Sequence, residues 1–266
     1  MEFSEKIKEK YEAYYKSYYD RELGLKNWKK LIEFRLQEDT TFGPRVLSWV
    51  KDWIPVQIPG ANVLVVGGGT GAETVAFSLE GAKVTALEPS VDACGIIRDK
   101  IEFYQLKDVQ VVNGIAEKMT FKTDEFDLMV CFTVLEHTQN PEACLEEMVR
   151  TLKPKGWLFL VTPDYRGVYE QHYKILLPLF APKWIIKWIL RSKGRPEGFL
   201  DTLQFVNARQ LRNKFQMLSV NAMQLFHPYP ESWIRQDTQE IRWMLRWSKW
   251  FGIQKDQFWL IQKKEK

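Results

Sequence analysis

One stretch restricts what this chain can fold into more than any other: Val63-Leu64-Val65-Val66-Gly67-Gly68-Gly69-Thr70-Gly71-Ala72-Glu73. An apolar β run breaks into a glycine-packed turn and then opens a helix. About twenty residues further on, a second apolar run, Val84-Thr85-Ala86-Leu87, ends in Glu88. Glycines let a backbone pass close to a ligand because no Cβ stands in the way. An acid at the tip of the neighbouring strand can accept hydrogen bonds from the hydroxyls of a ribose. The unit is built to hold a nucleoside. Gly67, Gly69 and Ala72 also satisfy the dinucleotide pattern G-x-G-x-x-A, so this stretch alone leaves an NAD-type oxidoreductase open.

The rest of the pattern alternates. Residues 5–38 read as helical, with Tyr11, Tyr14, Tyr15, Tyr18 and Tyr19 at three- and four-residue steps. A second helix, Gly43 to Trp53, runs into Pro55 and Pro59. Strands are expected at 62–66, 83–87, 109–112, 126–132 and 157–161, separated by helices at 72–79, 91–106 and 141–152. Lys153-Pro154-Lys155-Gly156 reads as a turn. Regularity lapses from Asp164 to Phe205, then resumes with helix 208–217, strand 219–226, helix 238–250 and strand 257–261. Strands separated by helices imply an α/β fold: a Rossmann-like sheet of seven strands, mostly parallel, with helices on both faces and the seventh strand antiparallel. The chain reads as a single domain. It has a helical N-terminal arm (1–60), a nucleoside-binding core (61–163), an inserted segment after strand 5 (164–205) and the C-terminal part of the sheet (206–266).

Motif order then discriminates between nucleosides. Five stretches occur in sequence: Gly67-x-Gly69-x-Gly71, Leu87-Glu88-Pro89-Ser90, the loop from Val112 through Gly114, Ile115 and Ala116 to Phe121, the run from Phe126 through Cys131 to Leu135-Glu136-His137, and Leu152-Lys153-Pro154-Lys155-Gly156-Trp157. Over about residues 60–165 this order resembles the class I S-adenosylmethionine-dependent methyltransferases, most closely those of ubiquinone biosynthesis and their relatives acting on small molecules and lipids. The resemblance implies S-adenosylmethionine as cofactor. Gly67, Gly68, Gly69 and Gly71 would then lie along its methionine portion and Glu88 and Pro89 at its ribose. Gly114, Ile115 and Ala116 would flank its adenine, with Cys131 alongside. Two departures stand out. The family usually has an acid two residues before the first glycine, where this chain has Val65, and another in the adenine loop, where it has Ile115. A scaffold that binds the cofactor without catalysis is the non-enzymatic alternative.

Methyl transfer from a sulfonium asks little of a protein beyond in-line placement. A hydroxyl acceptor adds the need for a base. His137 lies just past the carboxyl end of the fourth strand, where ligands sit in open α/β sheets, and imidazole accepts a proton near neutral pH. Asp164 and His172, which follow the fifth strand, are the alternative bases. The competing reading is that Glu136 and His137 merely cap and anchor a loop. Some relatives carry an acid three residues before the Glu of Leu-Glu-His, which completes a metal site. Here that position is Thr133, and Glu136 with His137 alone makes a poor site, so no metal is expected.

The net charge of +4 is too mild to argue for nucleic acid. Cys94, Cys131 and Cys144 fall in no metal spacing, and the charged N-terminus lacks an apolar secretion segment, so a reducing, cytoplasmic setting is expected. No stretch reaches the ~18 apolar residues of a membrane span. Within 174–191, Lys183, Lys187 and Arg191 recur every fourth residue among Trp184, Ile185, Trp188 and Ile189. That composition suits a helix lying in a membrane surface, but equally a lid or a dimer contact, and Trp243, Trp247 and Trp250 raise the same question. The expected activity is O-methylation of a small hydrophobic, lipid or lipid-linked acceptor, by a monomer or homodimer that is cytoplasmic or peripheral on a membrane.

Overall fold

The structure, a computed structural model, describes residues 3–167, 169–178, 180–225 and 253–265. Its main sheet contains β1 (Asn62–Val66), β2 (Lys83–Glu88), β3 (Val109–Asn113), β4 (Phe126–Phe132), β5 (Leu152–Pro163), β8 (Asn221–Leu225) and β9 (Asp256–Gln262). A separate hairpin pairs β6 (Tyr169–Glu170) with β7 (Ile175–Leu176). The seven-stranded order is β3-β2-β1-β4-β5-β9-β8. Strands β1 to β5 pair in parallel, and β9 runs antiparallel to both β5 and β8. The expected Rossmann-like sheet is therefore present, with its one reversed strand inserted second from the edge.

Alternation within β1 decides what each face buries. Leu64 and Val66 join the core on one side with Met129, Leu158 and Leu160, while Val63 and Val65 join the other with Val130 and Phe159. Strands buried on both faces read as continuous apolar runs, which is why β1 and β4 carry almost no polar residues. Strand order reverses beside β1: β2 lies on one side and β4 on the other. The crevice at the carboxyl ends of β1 and β4 is thus the natural ligand position. Helices α4 (Ala72–Leu79) and α5 (Val91–Phe103) follow β1 and β2, and α6 (Pro141–Thr151) precedes β5.

The N-terminal arm departs from the single long helix expected over 5–38. It breaks into α1 (Glu5–Lys16), a π-helical turn over 17–22, α2 (Trp28–Arg35) and α3 (Glu38–Trp53). Gly24, at φ +61°, makes the reversal between α1 and α2. Helix α3 begins five residues before the expected Gly43 and carries Pro44 inside it. Gly43 is where it crosses α4, since an added Cβ would stand 2.3 Å from the carbonyl oxygen of Ala72. Likewise, Lys153–Gly156 is not a separate turn. It belongs to β5, which starts at Leu152 opposite Phe126 and takes a register irregularity before Trp157 pairs with Leu128. The expected helix at 238–250, with Trp243, Trp247 and Trp250, lies outside the described residues.

The irregular segment 164–205 contains the β6–β7 hairpin, α7 (Lys183–Ser192) and α8 (Gly198–Thr202), and α9 (Ala208–Met217) follows. Arm and insertion share one apolar cluster: Tyr11, Tyr15 and Leu23 pack with Tyr173, Leu190 and Leu200. Together they roof the carboxyl ends of the sheet strands. A buried ionic knot ties the arm down. Lys100 of α5 is fully buried, donates to Asp39 Oδ1 at 2.5 Å and lies 3.7 Å from Glu38 Oε1. Its ammonium also faces the rings of Phe3 and Tyr11. Removing one partner of a buried pair typically costs about 3–5 kcal/mol because the other charge is stranded. Lys100→Ala should therefore lower the midpoint of thermal unfolding by roughly 10 °C, as calorimetry would show; an unchanged midpoint would mean the knot does not hold the arm.

Candidate active site

Above the switch point lies a cavity of about 840 Å³, within the usual range of about 300–1,000 Å³ for small-molecule sites. Its floor is the glycine loop. Gly67, Gly69 and Gly71 all sit at positive φ, at +68°, +51° and +95°. Gly67 is also sterically required, because a Cβ there would meet Val134 Cγ2 at 2.3 Å. At Gly69 the space is open, with nothing nearer an added Cβ than 4.0 Å, so the loop presents bare backbone upward. Glu88 holds this loop in place. One carboxylate oxygen accepts from the Gly69 N–H at 2.8 Å and the other from the Ser90 N–H at 2.9 Å. Burial raises the Glu88 pKa, and those two N–H donors pull it back.

Gly68, Pro89 and His137 line the same cavity. The other adenine-side residues do not. The Gly114 N–H donates to the Glu88 carbonyl, Ile115 is half exposed, and Ala116 is buried in the core beside Met119. Cys131 is fully buried in that core, opposite Val66 in the ladder. The residues after it, Phe132, Thr133 and Val134, form the cavity wall instead. Asp164 is likewise withdrawn: its carboxylate is taken up by the Arg166 side chain at 2.6 and 2.8 Å and accepts from the Gln254 N–H.

The arm supplies walls that the motifs did not point to. Tyr14, Tyr15, Tyr18, Arg35 and Glu38 reach the cavity. Tyr15 OH lies 2.9 Å from Thr70 Oγ1, and Glu38 accepts from both Thr70 Oγ1 and Tyr11 OH. A carboxylate thus stands beside the loop although Val65 and Ile115 occupy the positions where the family usually has acids. The only advance sign was the tyrosine spacing, which marked a helix but not what it covers.

Two histidines that are distant in sequence meet here. His137 Nε2 and His172 Nε2 are 3.3 Å apart, with the rings perpendicular. His172 Nδ1 lies 2.7 Å from Glu170 Oε1, and Glu170 Oε2 accepts from the Tyr173 N–H at 2.5 Å. Glu136 is fully buried. One of its oxygens accepts from Thr162 Oγ1 at 3.1 Å, and the other, Oε1, has no hydrogen-bond partner. Burial raises the Glu136 pKa to about 7. Burial also opposes charge on His172, but the hydrogen bond and charge of Glu170 outweigh it and raise the His172 pKa. Burial and the neighbouring His172 lower that of His137. Among the described residues, Glu136, His137 and His172 are the grouping whose ligand atoms converge enough to hold a metal ion. Glu136 Oε1 is 4.0 Å from His137 Nε2, wider than the ~3.4 Å ligand spacing of a tetrahedral site with bonds of about 2.1 Å. The two imidazoles are instead at hydrogen-bonding distance.

Comparison with known proteins agrees with this fold. Residues 64–160 match the family described as "Methyltransferase domain". A ubiquinone biosynthesis O-methyltransferase of Dechloromonas aromatica is 24% identical over 211 residues, covering 77% of this chain and 82% of that one. A demethylmenaquinone methyltransferase of Bacillus cereus is 25% identical over 194 residues, 67% and 78% of the two chains. Among solved structures, a putative S-adenosyl-L-methionine-dependent methyltransferase of Methanococcus maripaludis superposes with a TM-score of 0.57 at 14% identity, over 90% of this chain and 92% of that one. The [4+2]-cyclase SpnF superposes with a TM-score of 0.57 at 15% identity, over 84% and 81%. The matched domain, these relatives and the fold together support a class I S-adenosylmethionine-dependent methyltransferase. These matches imply S-adenosylmethionine as the cofactor, which decides against the NAD-type alternative.

Proposed function

We propose that this protein transfers a methyl group from S-adenosylmethionine to an oxygen atom of a small hydrophobic, lipid or lipid-linked acceptor. The observation that carries the reading is the shared cavity: the glycine loop and Glu88 line one part of it and His137 another. The cofactor supplies an electrophilic methyl on a sulfonium. The chain's task is to hold the acceptor oxygen in line and take its proton, which is general-base work suited to a histidine. Phe199 and the arm tyrosines give the wall an aromatic character that suits an apolar acceptor. The quinone-biosynthesis relatives favour the same class.

The insertion bears on where such an acceptor is met. On α7, Ile186 and Leu190 are buried, whereas Trp184 and Trp188 are 70% and 68% exposed. The cations of this helix do not form a free outer row. Lys187 pairs with Asp201 and Arg191 with Glu197, and Lys183 donates to the Leu203 carbonyl. Its inner face therefore belongs to the roof, and its outer tryptophans are what a membrane surface would receive. No helix among the described residues is long and apolar enough to cross a membrane.

The test is transfer of radiolabel from methyl-labelled S-adenosylmethionine to a panel of prenylated hydroquinones, phenols, phospholipids and prenyl-linked sugars. Label in the O-methyl product of an apolar hydroxyl is expected. Tight binding of S-adenosylhomocysteine with no labelled product across the panel would favour the non-catalytic scaffold. Flotation with anionic liposomes at low salt should carry the protein upward, and Trp184→Ala with Trp188→Ala should abolish this; an unbound wild type would assign the tryptophans to a lid or dimer contact.

A further inference from the structure

We propose that His172 and Glu170 form a relay behind His137, so that the acceptor's proton enters at His137 while the proton His137 already carried passes on to His172. This deepens the oxygen-methylation reading and rests on it. The argument is geometric. The β6–β7 hairpin puts Glu170 at the end of a strand and His172 in the tight turn after it, and the Tyr173 N–H locks the carboxylate from behind. Exposure falls inward along the line: the side chain of His137 is 36% exposed, that of His172 10%, and that of Glu170 0%. Only the outermost member lines the cavity.

With His172 neutral, one arrangement of protons satisfies both hydrogen bonds. Ionised Glu170 can only accept, so His172 carries its proton on Nδ1 and presents a bare Nε2. His137 then donates from Nε2 to His172 Nε2, which leaves its Nδ1 bare for the acceptor. As the acceptor oxygen forms its bond to the methyl carbon, the electron pair of the breaking carbon–sulfur bond stays on sulfur. The hydroxyl proton moves to His137 Nδ1, and the Nε2 proton of His137 moves to His172 Nε2. His137 ends neutral in its other tautomer, and His172 ends as an imidazolium against the Glu170 carboxylate. This division suits the surroundings. Among the described residues, no carboxylate is hydrogen-bonded to the half-exposed His137, Glu136 Oε1 lying 4.0 Å away. Around His172 stand Glu170 of β6, Glu136 and His137 from the turn after β4, and Asp256 of β9. The nearby phenols of Tyr18 and Tyr165 stay neutral because burial raises their pKa values.

Imidazole proton–nitrogen spectra of the complex with S-adenosylhomocysteine test the line without any acceptor. His137 should be protonated on Nε2 and His172 on Nδ1, and Glu170→Gln should lower the His172 pKa by about one unit or more. With a prenylated hydroquinone as acceptor, His172→Asn should cut kcat about tenfold to a hundredfold without changing S-adenosylhomocysteine affinity. A neutral His172 is needed to receive the proton, so activity rises with pH through its pKa, and Glu170→Gln should shift that acid limb to lower pH. A wild-type rate and pH profile in His172→Asn would overturn the relay. So would wild-type turnover lost to EDTA and restored by a divalent cation, which would make the imidazoles metal ligands. Correct tautomers in a wild type that methylates no hydroxyl would overturn the acceptor assignment while leaving the hydrogen-bonded line standing.

Discussion

Glu88→Ala should weaken S-adenosylmethionine binding by about a hundredfold or more, measured by isothermal titration. The carboxylate holds the Gly69 and Ser90 N–H groups at 2.8 and 2.9 Å. Hydrogen bonds to a charged acceptor contribute about 1.5–3 kcal/mol each, so losing two removes at least about 3 kcal/mol of loop order, equivalent to two decades of affinity. The ribose contacts expected of this residue would be lost as well. Glu88→Gln is the sharper form of the experiment. An amide accepts only through its oxygen, so its NH₂ end must face one of the two backbone donors. Gln should therefore bind nearly as poorly as Ala, although it matches Glu in size and could still hydrogen-bond a ribose. If Gln kept wild-type affinity, Glu88 would not be organising the loop.

That double duty was only half legible in the sequence. An acid at the end of the second strand is readable from spacing, because strand periodicity fixes which residue reaches the tip. Its grip on Gly69 was not, since it depends on how the loop folds back over β2. The same division runs through the molecule. The strands were readable because β1 and β4 are buried on both faces and so carry the apolar runs Val63–Val66 and Leu128–Phe132. Cys131 was misplaced among the cofactor contacts because its position in the motif says nothing about which face its side chain takes. In the structure it faces the core, and the chain turns toward the cavity only at Phe132 to Val134. The roof was unreadable for a different reason. Tyr11 and Tyr173 belong to one cluster across more than half the chain, and no periodicity within either segment states that they meet. The same long-range closure brings His172 to His137. Sequence offered the two histidines as alternatives, and the fold makes them neighbours.

His137→Ala should lower turnover by about a hundredfold or more while leaving the dissociation constant of S-adenosylhomocysteine unchanged. The two readouts separate because His137 stands on the turn after β4, whereas Glu88 and the glycines proposed to hold the cofactor lie at β2 and the β1–α4 turn. Truncation to alanine removes the group that meets the acceptor and severs His172 from the cavity, so the relay offers no detour. It also leaves His172 paired with Glu170, so the hairpin should keep its structure and the unfolding midpoint should move little. Loss of turnover together with lost cofactor binding would point to collapse of the turn, the anchoring role considered for Glu136 and His137. Unchanged turnover would take His137 out of the mechanism altogether. Catalysis would then reduce to in-line placement of the acceptor, which effective molarities of about 10⁵–10⁸ M for well-oriented groups allow in principle. That outcome would favour an acceptor already ionised, or one whose methylated atom carries no proton.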